Sequence, residues 1–217
     1  VSDPTNGIDY KMDDTGKYRD VLQPTRADFN LFEDEGFAYN FGEGNLNVAE
    51  VKDSELDYVM VPFSVNGFRI TSFCPSKKVS GSFTKLYLGS NVESVGENTV
   101  YLSSNFSSLR EINVDPANKF LTAYKNVLYN IGNDAPYFIP SAITKLELKP
   151  VKVIEKNFIY HLENVEEIVF AEGTERIEAY AVEKCRNLRK VYVPSSVTYM
   201  DKEAIYDCGN DVEIIRK

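Results

Sequence analysis

Histidine is almost absent: His161 is the only one in 217 residues. A Ser-His-Asp or Cys-His set would have one available base, and no nucleophile is spaced around it as such a set requires. Cysteine is scarce as well. Cys74, Cys185 and Cys208 are odd in number and contain no CxxC pair, which speaks against a disulfide framework and a zinc site. No run approaches the roughly 20 apolar residues of a membrane helix. A basic excess is also missing, since the net charge is −9. Residues 1–60 hold 14 Asp/Glu against 5 Lys/Arg, and residues 61–217 hold 19 of each. Such a balance disfavours nucleic acid and anionic membrane surfaces as partners. Asp13-Asp14, Glu33-Asp34-Glu35 and Glu166-Glu167 lack calcium-loop spacing. No metal and no cofactor is expected. The chain opens on Val1 rather than Met, so it reads as a processed or truncated form whose export signal lies outside it.

What is present is periodicity. Leu188, Val191, Met200 and Cys208 each follow Val165, Ile168, Ile177 and Cys185 by 23 residues. A fixed period of that size is the mark of a solenoid. Hydrophobic content of 43% with 12% aromatics suffices for a continuous core.

The chain divides into three parts. Residues 1–27 are polar and acidic and read as a leader or strap. Residues 28–78 read as a β-rich cap. Phe29, Leu31, Phe37, Tyr39 and Phe41 alternate around the turn Glu33-Asp-Glu-Gly36, and Asn47 to Val51 reads as a further strand. Tyr58 to Val65 and Phe68 to Phe73 flank Asn66-Gly67, a strong hairpin signal. Such a block can cover the open end of a solenoid. Residues 79–217 carry the repeat. Its strand line runs apolar, x, charged, apolar, x, apolar, as in Phe83-Thr-Lys-Leu86-Tyr-Leu88 and Leu109-Arg-Glu-Ile112-Asn-Val114. Val95, Ile154, Ile177 and Met200 are each followed four residues later by Thr99, Phe158, Ala181 and Ala204. That spacing suits a short helical turn facing the core. One unit gains three residues, placed at 103–108, and another about eleven, placed in 116–139. There, Asn126-Val-Leu-Tyr129 and Tyr137-Phe-Ile139 flank Ile131-Gly-Asn-Asp-Ala-Pro136. The insert reads as a β-hairpin projecting from one face.

Val193-Pro-Ser-Ser-Val197-Thr with Met200, Ala204 and Cys208, and Cys185-Arg-Asn-Leu188-Arg-Lys-Val191, resemble the BspA-type leucine-rich repeat. The resemblance extends over about residues 28–217. It departs from the usual pattern at Val182 and Ile205, where the family has Phe, and at Leu162, where it has Cys. The resemblance implies an α/β solenoid: a leucine-rich-repeat right-handed superhelix with a parallel sheet on one face and short helical turns on the other. It also implies a surface-exposed or secreted protein, adhesion to macromolecules, and no catalytic residues. The expected partner is an extracellular protein or glycan, with no nucleic acid and no membrane insertion in the visible chain. The alternative is a structural protein that self-associates through its last strand, Ile214-Ile215-Arg216-Lys217.

Two outward rows follow from the strand line. The third-position residues are Lys85, Glu111, Lys145, Glu167, Lys190 and Glu213, alternating in sign. They form either a self-neutralising ladder or a charged recognition strip. The fifth-position residues are Tyr87, Asn113, Glu147, Val169 and Tyr192, with Ile215 less regular. They form either a partner-binding sheet face or ordinary surface. Cys185 and Cys208 stack as buried thiols or as an inter-coil disulfide, the family position being a buried thiol. His161 reads as surface, and Asn105-Phe-Ser107 fits a glycosylation sequon.

Overall fold

The structure, a computed structural model, describes residues 37–42, 44–51, 57–74, 83–96 and 106–217. The expected leader, the strand over Phe29 and Leu31, Thr99 and the sequon residue Asn105 lie outside the described residues.

Strands β1 (Phe37–Gly42) and β2 (Asn45–Val51) form an antiparallel pair. Next come β3 (Tyr58–Val61), β4 (Ser64–Val65) and β5 (Phe68–Phe73), then β6 (Lys85–Leu88), β7 (Ser94–Val95) and β8 (Glu111–Val114). The Asn66-Gly67 hairpin forms, with φ of 50° and 81° at its centre. Its first arm is only β4, because β3 leaves for another sheet. Val59 and Val61 are buried and lie opposite Leu86 and Leu88 in a parallel ladder. Stacked there, both side chains are withdrawn from water, which is favourable for apolar surface. Two parallel ladders result, β3-β6-β8 and β2-β5-β7.

After β8 comes the insert, β9 (Leu121–Tyr124) and β10 (Val127–Asn130), joined by Lys125-Asn126 with φ of 49° and 67°. Asn118 anchors its base. This buried side chain donates to Gly89 O and Val92 O and accepts from the amides of Phe120 and Leu121. The second edge of β10 is used too, through Leu128 paired with Phe138. The hairpin does not project. Leu121, Leu128 and Phe138 pack into one buried cluster, while Val127 and Tyr129 pack into the other. Alternation along β10 sends successive side chains to opposite faces, and both faces are apolar.

The rest is a regular coil. The remaining strands are β11 (Lys145–Glu147), β12 (Val153–Ile154), β13 (Ile159–Tyr160), β14 (Glu167–Val169), β15 (Arg176–Ile177) and β16 (Val182–Glu183). They are followed by β17 (Lys190–Val193), β18 (Tyr199–Met200), β19 (Ile205–Tyr206) and β20 (Glu213–Arg216). Three parallel sheets stack along the coil, β11-β14-β17-β20, β12-β15-β18 and β13-β16-β19. Leu146, Ile168 and Val191 line up inside, fully buried.

The solenoid is therefore β rather than α/β, and the expected helical turns are corrected. The described residues contain no α-helix. The four-residue spacing from Ile154 to Phe158 spans a strand and a corner instead. Asn157 and Tyr180 turn that corner with φ of 59° and 58°. Their amides donate to the next coil, Asn157 to Tyr180 O and Tyr180 to Glu203 O, both at 2.8 Å. Within each corner one bond closes the turn, from the Phe158 amide to Glu155 O at 3.2 Å and from the Ala181 amide to Glu178 O at 3.3 Å, and the neighbouring coil satisfies the groups between them.

Candidate functional site

The strand pleat and the parallel register place the two outward rows. In one sheet Lys85 lies beside Glu111 and Tyr87 beside Asn113. In the other, Lys145, Glu167, Lys190 and Glu213 are neighbours in that order. Glu147, Val169, Tyr192 and Ile215 run alongside them. The rows break between Glu111 and Lys145, because β8 and β11 belong to different sheets with the insert between them. Lys85 Nζ sits 3.8 Å from Glu111 Oε2. Lys145 pairs within its own strand, 3.3 Å from Glu147. These contacts are exposed, and such pairs contribute roughly 0.2–1 kcal/mol.

Glu147, Val169 and Tyr192 come together in a groove of about 270 Å³. Tyr124 joins them from the end of β9, so the insert forms a wall of the groove. Glu172, Pro194 and Lys217 complete the rim. The Lys217 ammonium lies 4.6 Å from the centre of the Tyr192 ring. Tyr87 and Asn113 are not part of this groove. They sit beyond the insert, where Met60, 54% exposed, is the neighbour of Tyr87. Partial burial raises the pKa of the Tyr87 phenol, and the Asp115 carboxylate raises it further.

Tyr124 escapes the repeat pattern because it belongs to the insert, where positions of the strand line have no meaning. Its place just before a left-handed turn pair was the available signal. A second aromatic group was also missed. Tyr160, Glu183 and Tyr206 are in register on β13, β16 and β19. Tyr180 meets Tyr206 edge to face at 4.9 Å. Lys184 donates to the Tyr160 hydroxyl at 2.7 Å, which raises the lysine pKa. Tyr180 donates to Glu203 at 2.9 Å, and this bond raises the phenol pKa.

All three cysteines are free. Cys185 is buried in the stack beside half-buried Cys208. Its pKa is raised by the hydrogen bond to Cys208 and by burial, whereas that of Cys208 is lowered by the same bond. His161 is exposed, with Nε2 3.3 Å from Glu163. Among the described residues no group of three or more His, Cys, Asp or Glu gathers to hold a metal ion. No helix among them is long and apolar enough to cross a membrane. On β20, Ile214 is 41% exposed.

The family model of the BspA type leucine rich repeat region matches residues 77–212 in six copies. Comparison with the curated proteins gives no match. A solved leucine-rich repeat protein from Bacteroides ovatus ATCC 8483 is 16% identical, with a TM-score of 0.46, covering 82% of this chain and 55% of that one. A leucine rich cell surface protein from Faecalibacterium prausnitzii A2-165 is 17% identical, with a TM-score of 0.32, over 75% of this chain and 60% of that one. A leucine rich repeat protein from T. pallidum is 12% identical, with a TM-score of 0.37, over 84% and 83%. The chain spans about half the length of the Bacteroides ovatus structure and of one from Eubacterium ventriosum ATCC 27560, 55% and 54%.

Proposed function

The chain belongs to the BspA-type leucine-rich-repeat family, and on that footing we propose that it is a non-enzymatic binding module. It acts at the cell surface or outside the cell and adheres to a protein or glycan through the sheet face of β11-β14-β17-β20. The observation that carries this reading is the groove joining Tyr124 to Glu147, Val169 and Tyr192. A tyrosine offers a large rigid apolar surface with a polar tip, the chemistry that dominates protein interfaces.

The test is a binding screen of the purified chain against extracellular-matrix proteins and a glycan array. Against any saturable hit, Tyr124→Ala with Tyr192→Ala is expected to weaken binding tenfold or more, at about 1–2 kcal/mol per truncated anchor. The melting temperature should stay nearly unchanged, since both side chains lie on the surface. Equal binding by the double variant removes the groove from the reading. Tyr87→Ala is measured beside it, and a loss there places the contact on the β3-β6-β8 sheet instead.

A further inference from the structure

The groove already holds an ammonium group, and that group is the chain's own. Among the described residues that line it Lys217 is the sole cation, against the carboxylates of Glu147 and Glu172 and the rings of Tyr124 and Tyr192. Among the described residues four other cations lie over tyrosine rings, and two of these, Arg176 and Lys184, are tied in place by ion pairs, whereas Lys149 and Lys156 are not. Arg176, over Tyr199, is paired with Glu178 at 2.9 Å. Lys184, over Tyr160, donates to its hydroxyl and lies 3.6 Å from Glu183. Among the described residues the Lys217 ammonium has the Tyr192 ring as its contact and no ion pair. Its backbone is held, through the amide to Val193 O at 3.0 Å, while the side-chain tip is free to leave.

We propose that this groove is a recognition subsite for a lysine or arginine side chain of a partner protein, with Lys217 as the intramolecular stand-in that the partner displaces. The proposal rests on the binding-module reading above. Ring faces attract a cation through their quadrupole, and most strongly where water is partly excluded. Once Lys217 swings out, the described lining holds the Glu172 carboxylate and that of Glu147, which Lys145 already pairs at 3.3 Å, and no cation. The groove volume, about 270 Å³, falls below the roughly 300–1,000 Å³ of a small-molecule pocket. It suits a single long side chain rather than a run of sugar rings.

The test uses the whole chain and short blocked peptides with one central lysine or arginine, followed by the ring resonances of Tyr124 and Tyr192 in NMR. The Nε-acetylated lysine peptide, of nearly the same shape but uncharged, is the control. Both cationic peptides are expected to shift these resonances, and the acetylated one to leave them in place. Lys217→Gln should lower the half-saturating concentration at least roughly threefold, because the competent state is no longer shared with an internal competitor. The proposal is overturned if the acetylated peptide shifts the rings equally, if Lys217→Gln leaves half-saturation unchanged, or if no peptide shifts them. Its failure stands apart from that of the module reading. A macromolecular hit lost in the Tyr124/Tyr192 double variant, with no response to cationic peptides, keeps the module and removes the subsite. Responsive rings without any macromolecular hit do the reverse.

Discussion

At Gly209 a Cβ would overlap the Leu188 carbonyl oxygen of the coil above. The two coils meet there through the Gly209 amide donating to Cys185 O at 3.1 Å. Gly209→Ala is therefore expected to cost about 1–3 kcal/mol, the usual range for overpacking, read as a lower urea midpoint with unchanged slope. An unshifted midpoint would mean that this close approach is absent in solution. The same scale explains what was hard to read in the repeat. His161, Lys184 and Asp207, 23 residues apart, all adopt left-handed backbone, with φ of 56°, 59° and 47°. None is glycine, so residue type alone carries no turn signal; inter-coil bonds such as His161 to Glu183 O at 2.9 Å hold the conformation.

Among the elements, the insert differs most from its expected form. The sequence reading placed the turn at 131–136 and sent the hairpin outward. The pairing across 131–136 is present, as the antiparallel contact of Leu128 with Phe138; the longer ladder runs to β9 across Lys125-Asn126, both left-handed, and the expected outward projection is what differs. Paired left-handed residues match the right-handed twist of the flanking strands. Asn126→Gly should be tolerated, whereas Asn126→Val, branched at Cβ, should cost about 1–2 kcal/mol. Thermal melts of the two variants check this, and equal melting temperatures would contradict the turn geometry. The corners were misread for a different reason. A spacing of four between apolar residues fits one helical turn, and it equally fits a two-residue strand followed by a corner. Only the hydrogen bonds to the next coil separate the two.

At the scale of the molecule, the buried side chains of the described residues form two clusters that meet at β10. Leu128 belongs to the first and Val127 to the second. Each coil touches its neighbours alone, so stability is local and passes from coil to coil. Leu128→Ala should first lower hydrogen-exchange protection in β6 and β8. Val127→Ala should first lower it in β14 and β17. Uniform loss of protection from either substitution would show that the two clusters open as one unit.

By itself the sequence determined the solenoid, its 23-residue period, the inward ladder through Leu146, Ile168 and Val191, and which strand residues face out. Those features follow from local alternation and repetition, which need no knowledge of distant contacts. Only the tertiary structure decided that the corners are β, that the insert is a shared floor between two cores, and that Tyr124 walls a groove with Tyr192. Each of these depends on which segments lie side by side. An aperiodic insert has no repeat to reveal its neighbours, so burial on both faces of β10 is what sets its place.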